Sequence, residues 1–222
     1  MAEERIPVVI LGAGGYASAV WEILTLRPEV TVIGCTDKAL GVSERSMGEG
    51  MSLRILGDDD ILSDLAEQHP KLHAVLALGP GLMDVRIRLI RTLSLTGIPS
   101  LVAIHPRAIV SRLAKLEEGT VVGAGAILGP FTTLGRHCVA HIGASVDHDA
   151  KIGNNVFIGQ GARVSSYVDI RDDAVIEMGA SINSRVIIGQ GGRVTGCAFV
   201  NTDVPDHAVV VGAPARVVRY QE

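Results

Sequence analysis

Apolar positions follow two different rhythms along this chain. In the first hundred residues, short apolar runs alternate with stretches of helical spacing. Ile6-Pro7-Val8-Val9-Ile10-Leu11 is an unbroken apolar run, the pattern of a strand covered on both faces. Tyr16 to Leu26 reads as a helix, with Val20, Ile23 and Leu24 on one face. Val30 to Cys35 reads as a second strand, and Asp58 to Gln68 as a helix whose first-turn acids suit its dipole. Ala74 to Leu78 is a third strand, Val85 to Leu95 a third helix and Leu101 to Ile104 a fourth strand. This β-α-β-α order predicts a small parallel sheet flanked by helices, an α/β domain over 1–105.

After residue 105 the helical spacing stops and a period of six begins. Every sixth residue from Val110 to Val200 is Val, Leu or Ile, except Ala140. The fifth position of each hexad, from Ala114 through Cys138 and Ala150 to Val204, is always small or β-branched. Gly often follows the aliphatic position, as at Gly123, Gly129, Gly135, Gly153, Gly159 and Gly189. A triangular parallel β-solenoid explains this register. Each hexad makes one flat side with its aliphatic residue inward, and three hexads close a coil, so residues eighteen apart stack and bury a continuous core. The second domain is therefore expected over 106–222.

Composition narrows the partners. Hydrophobic residues are 47% but aromatics only 3%, so the core must be aliphatic. Net charge is −4 with no basic block, which argues against nucleic acid. The first apolar run is too short to span a bilayer, and no leader pattern precedes it, so no membrane partner and a cytoplasmic location are expected. Cys35, Cys138 and Cys197 are odd in number, far apart and outside any zinc spacing, which fits three reduced thiols.

Three constellations carry chemistry. His148, followed by Asp149, is a candidate general base: imidazole titrates near neutral pH, and a carboxylate on its other nitrogen would fix the tautomer. Adjacent side chains on a flat strand point apart, so the two can meet only at a corner of the prism. His137, His141 and His148 raise zinc as an alternative, but they occupy the fourth, second and third positions of their hexads, so no metal is expected. Gly12-Ala13-Gly14-Gly15-Tyr16-Ala17 joins a strand to a helix, and Asp37 ends the next strand, as in a looser dinucleotide fingerprint. Alone this reads as an NAD site or as a packing turn, but no second mononucleotide half is present.

The chain resembles the hexapeptide-repeat acyltransferases, and more narrowly the bacterial family of sialic acid O-acetyltransferases and nucleotide-amino-sugar N-acetyltransferases. The carrying segments are Val8 to Gly15, Ile104-His105-Pro106, Val146 to Ala150 and Val211-Gly212-Ala213-Pro214-Ala215-Arg216. The resemblance implies a Rossmann-like parallel α/β domain followed by a left-handed parallel β-helix, a homotrimer, acetyl-CoA as acyl donor and a nucleotide-linked amino sugar as acceptor. It implies that Gly12, Gly14, Gly15 and Asp37 bind the nucleotide sugar. It gives Ser166, eighteen residues beyond His148, a backbone N–H for the thioester oxygen, and sets Gly212, Pro214 and Arg216 beside CoA. Tyr16 and Phe157 depart from the resemblance, standing where the family often has His. Sugar N-acetylation is the expected activity. O-acetylation of a sialic acid or similar sugar hydroxyl, and a non-catalytic nucleotide-sensing scaffold, are the alternatives.

Overall fold

The computed structural model describes residues 5–38, 43–48 and 50–221. Its contacts divide the chain into two units, Met1–Ala103 and Ile104–Glu222.

In the first unit, β1 (Ile6–Leu11), β2 (Val30–Thr36), β3 (Glu44–Gly48), β4 (Met51–Gly57) and β5 (His73–Leu76) form a sheet in the order β3-β4-β2-β1-β5. β1 runs parallel to β2 and β5, β2 runs parallel to β4, and β3 returns antiparallel along β4. The interior strand β1, between β2 and β5, buries Val8 to Leu11 completely, which explains its unbroken apolar run. Helix α1 (Gly15–Thr25) buries Ala17, Val20, Ile23 and Leu24. Helix α2 (Leu62–Gln68) is entered through a 3₁₀ turn at Asp59–Ile61, whose first N–H donates to the Asp58 carboxylate. Helix α3 (Met83–Thr96) stops at Gly97, where φ is +70°.

Two expectations change. The β3–β4 hairpin was not foreseen. Its polar residues Glu44, Arg45, Ser46 and Arg54 give no apolar run, because much of this edge is exposed. The strand expected at Leu101–Ile104 shrinks to Ala103–Ile104, and the contact beside β5 is instead a parallel bridge from Ala74 to Ser100.

The second unit is the predicted prism. Sixteen two-residue strands, Ile109–Val110 to Phe199–Val200, recur every six residues. They stack in three parallel sheets with partners eighteen apart: Ile127 beside Ser145, Thr133 beside Lys151, Val139 beside Phe157. The aliphatic series from Val122 to Val200 is buried in one core, and Val110 and Leu116 pack against its first coil. Burying each such side chain stabilises the fold by about 1.5–3 kcal/mol. Polar groups at the inward fifth position are satisfied. The Thr120 and Thr132 hydroxyls and the Cys138 thiol donate at 2.9 Å to the carbonyls of Gly135, Asp147 and Gly153. A parallel strand at Ala208–Val211 and an antiparallel one at Arg216–Tyr220 close the last coil.

Candidate active site

From Gly119 to Cys197 the prism turns its corners through the fourth residue of a hexad, held in the left-handed region. Along one corner these residues are Phe131, Asp149, Tyr167 and Arg185, with φ of 60, 58, 60 and 63°. Corner N–H groups climb the stack: Asp149 donates to the Pro130 carbonyl at 3.0 Å, and Tyr167 to the His148 carbonyl at 3.3 Å. This backbone answers the geometric question raised by the sequence. With Asp149 at φ +58° its side chain swings back toward its neighbour, and His148 Nδ1 lies 2.8 Å from Asp149 Oδ2. The two side chains keep 42% and 38% of their surface open, enough for a substrate to reach the ring. Nδ1–H donating to the carboxylate leaves Nε2 with its lone pair, the tautomer a general base needs. The His148 backbone is fixed from both directions. Its N–H donates to Asp147 Oδ1 at 2.8 Å, and Gly129 beneath it has no side chain because a Cβ there would come within 2.8 Å of that nitrogen.

Ser166 occupies the same corner position one coil on. Its hydroxyl lies 3.2 Å from the Ser184 hydroxyl, and among the described residues its backbone N–H has no acceptor. The Gly212–Arg216 turn is exposed apart from Ala215, and rests on Phe199, whose N–H donates to Gly212 O at 3.0 Å and whose carbonyl accepts from Ala215 N–H at 2.7 Å. Phe199 stacks on Ser181, which stacks on Arg163 and then Ser145. At about 4.8 Å per strand, the turn stands roughly 14 Å up the prism from the strand that leads into His148. The Arg216 guanidinium donates to the Ala215 carbonyl at 2.7 Å.

In the first unit, Gly12 takes φ +104°, and a Cβ there would meet the Leu78 side chain at 2.9 Å. Gly14 and Gly15 are exposed with open space at both positions. Asp37 Oδ2 accepts the Ala13 N–H at 2.8 Å, so Asp37 holds the turn itself. Arg45 of β3 donates to the carbonyls of Ala13 and Gly14 and to Ser18 Oγ. Below the turn, Arg86 is almost wholly buried and donates to the Leu78 carbonyl at 3.1 Å. Burial pushes the Tyr16 phenol pKa far up, and the Arg86 charge offsets part of that rise. The Cys35 thiol is pushed up to about 11, by burial first and then by the Asp37 charge, so it is no nucleophile at neutral pH.

The three histidines considered for zinc stand at three different corners. His137 lies at the one after Thr133–Leu134, His141 at the one after Val139–Ala140, and His148 beside Asp149. Among the described residues no three His, Cys, Asp or Glu side chains group as a metal would need. His141 is buried, its Nδ1 accepting the Ile142 N–H at 2.7 Å, and desolvation lowers its pKa. Phe157, buried, meets the His141 ring edge-on at 5.9 Å. Two residues at the His148 corner were missed by sequence reasoning. Tyr167 stands edge-on to the His148 ring at 5.3 Å and 88°, and the Arg185 guanidinium sits 5.1 Å from the Tyr167 ring centre. The eighteen-residue step that finds Ser166 from His148 finds both of them from Asp149. Arg45 was missed with its hairpin.

The profile described as PglD N-terminal domain matches residues 7–93, and that of the bacterial transferase hexapeptide matches residues 131–166. PerB from Caulobacter crescentus, solved in complex with CoA and GDP-perosamine, is similar at 30% identity with a TM-score of 0.86, covering 96% of this chain and 97% of that one. Structures of that enzyme also exist with a single histidine replaced by Asn or Ala. The acetyltransferase domain of PglB from Neisseria gonorrhoeae, in complex with acetyl coenzyme A, is similar at 25% identity with a TM-score of 0.86, covering 96% of this chain and 100% of that one. A curated relative, GDP-perosamine N-acetyltransferase of Escherichia coli O157:H7, is 34% identical over 96 residues, a match spanning 40% of this chain and 41% of that protein. With its hexad register, its paired His and Asp and these likenesses, the chain belongs to the hexapeptide-repeat acyltransferases with a PglD-type N-terminal domain, the family of the nucleotide-amino-sugar N-acetyltransferases, and its solenoid is that family's left-handed β-helix.

Proposed function

We propose that this chain is an acetyl-CoA-dependent N-acetyltransferase of a nucleotide-linked amino sugar, with His148 as general base. The observation that carries the chemistry is the 2.8 Å contact between His148 Nδ1 and Asp149 at an open corner of the prism. The sugar amine forms its C–N bond to the acetyl carbonyl while His148 Nε2 takes the amine proton. The Ser166 N–H donates to the carbonyl oxygen as it becomes an oxyanion. Collapse breaks the C–S bond, and the CoA thiolate recovers the proton from the imidazolium, which Asp149 has stabilised meanwhile.

The acyl donor lies along the prism from Ser166 toward Gly212, Pro214 and Arg216, where the Arg216 cation faces a phosphate of CoA. The nucleotide binds the first unit at Gly12, Gly14 and Gly15, with Asp37 holding the turn in shape. The active assembly is a homotrimer and works in the cytoplasm without a metal. Among the described residues no helix is long and apolar enough to cross a membrane. The acceptor's base is guanine, by likeness to the relatives named for GDP-perosamine.

Thiol release from acetyl-CoA, measured against a panel of GDP-, UDP- and dTDP-linked 4-amino sugars and a sialic acid, tests this. Turnover with an amino sugar, abolished when its amine is replaced by hydroxyl, supports the proposal. Turnover with the sialic acid alone, or none with any acceptor despite nucleotide-sugar binding, contradicts it.

A further inference from the structure

The corner that holds His148 spends unfavourable backbone conformations on large side chains. Tyr167 and Arg185 both take φ near +60°, a region costly for L-residues other than Gly, Asn and Asp. The corner at Gly125, Gly143, Gly161 and Gly179 makes the same turn with Gly. Side chains take this conformation elsewhere too, at Phe131, His137 and Cys197, so what singles out Tyr167 and Arg185 is their contacts. Tyr167 stands one coil above Asp149, and its ring lies 5.3 Å from the His148 imidazole at 88°. Arg185 stands one coil higher still, with its guanidinium 5.1 Å from the centre of the Tyr167 ring. Asp149 restrains one edge of the imidazole through Nδ1. A single hydrogen bond still allows the ring to swing about it. A second restraint from the aromatic ring removes that freedom, and the cation over Tyr167 keeps Tyr167 itself in place.

We propose that Tyr167 is a positioning residue for the general base, clamping the His148 imidazole against Asp149, and that Arg185 acts through Tyr167 by holding its ring. This rests on His148 being the base. The contact used is the ring, and the phenol hydroxyl plays no part. Neither residue needs to touch substrate, so their loss acts on kcat and leaves the acetyl-CoA KM alone.

A double-mutant cycle on the full-length protein separates this inference from the reading beneath it. Tyr167→Ala should lower kcat about 10-fold, since small misplacements of a catalytic group are costly, with acetyl-CoA KM changed less than about twofold. Tyr167→Phe should keep turnover within about threefold of wild type, and Arg185→Ala should lose about threefold, as suits an exposed cation–π contact. In a His148→Ala background, Tyr167→Ala should cost nothing more, because its effect runs through the imidazole. Melting curves guard against a folding defect. If Tyr167→Ala melts early, Tyr167→Leu, which keeps the bulk and loses the ring, takes its place. Nitrogen NMR of His148 gives a readout independent of turnover, with a single tautomer in the wild type and averaged ring signals in the Ala or Leu variant. A Phe variant as poor as the Ala variant, a raised acetyl-CoA KM with normal kcat, or additive losses in the double variant would each overturn the positioning role and leave His148 as base. A fully active His148→Ala variant would remove the base and this inference together.

Discussion

Two corners of one prism turn through the same backbone conformation with opposite kinds of residue. Gly125, Gly143, Gly161 and Gly179 take φ of 65, 66, 62 and 68° along one, with Cys197 at 59° in the last coil, and Phe131, Asp149, Tyr167 and Arg185 take 60, 58, 60 and 63° along the other. Glycine enters this region without steric cost, whereas a side chain there is strained by about 1 kcal/mol or more. The glycine corner is what folding alone favours. At the other corner Asp149 and Tyr167 flank the His148 ring, and Asp149 reaches the imidazole because of its positive φ. The comparison teaches that the left-handed fourth position, structural in origin, is the device that lets two neighbours in sequence become hydrogen-bonded partners.

The largest expected effect attacks what both corners share. Ile158 is completely buried in the prism core, and Ile158→Asp places an unpaired carboxylate there. The protein should lose its cooperative melting transition, and an unchanged melting curve would show the hexad register to be wrong. Next, Asp149→Gly gives the His148 corner the residue of the other one. Turnover should fall by roughly 10²-fold as the imidazole loses its carboxylate, while the melting temperature stays level or rises, since Gly relieves the left-handed strain. A loss of stability equal to the loss of activity would contradict the division of roles.

Glycines that look alike in sequence should also separate. A Cβ on Gly129 would come within 2.8 Å of His148 N, whereas one on Gly143 would find its nearest neighbour at 4.0 Å. Gly129→Ala should cost about 1–3 kcal/mol by chemical denaturation and impair turnover as well. Gly143→Ala should cost about 1 kcal/mol, from its positive φ, and leave turnover unchanged. The smallest effect belongs to His141, whose pKa burial lowers below its ordinary 6.5. The unfolded chain then binds a proton before the folded one does. Its contribution is complete above pH 6.5 and is lost as pH falls below that value toward the lowered folded pKa. His141→Gln should flatten that part of the stability curve.

The hexad register was legible because one inward aliphatic residue per flat side is the only way this solenoid buries a core, so Val122 through Val200 announce it. The meeting of His148 and Asp149 was less legible, although its signal was present. Gly119, Gly125, Gly143, Gly161, Gly179 and Gly191 all fall at the fourth hexad position, the mark of a left-handed residue there. That would have placed Asp149 in the same conformation. The second-position glycines have a different cause, the close approach of the next coil, as Gly129 and Gly159 show. The β3–β4 hairpin stayed hidden because an exposed polar edge carries no run of apolar residues, and Arg45 was hidden with it. Tyr167 was hidden because an aromatic residue on a charged corner signals nothing until stacking sets it beside the imidazole.

The central claim is that proton removal by His148 drives acetyl transfer, and its most direct test is the steady-state turnover of His148→Ala with acetyl-CoA and the amino-sugar acceptor found in the panel. His148 lies outside the inward aliphatic series, so the variant should melt with the wild type while kcat falls about 10²–10⁴-fold, the range for a positioned general base. Turnover within a few fold of wild type, in a folded variant that still binds both substrates, would contradict the account.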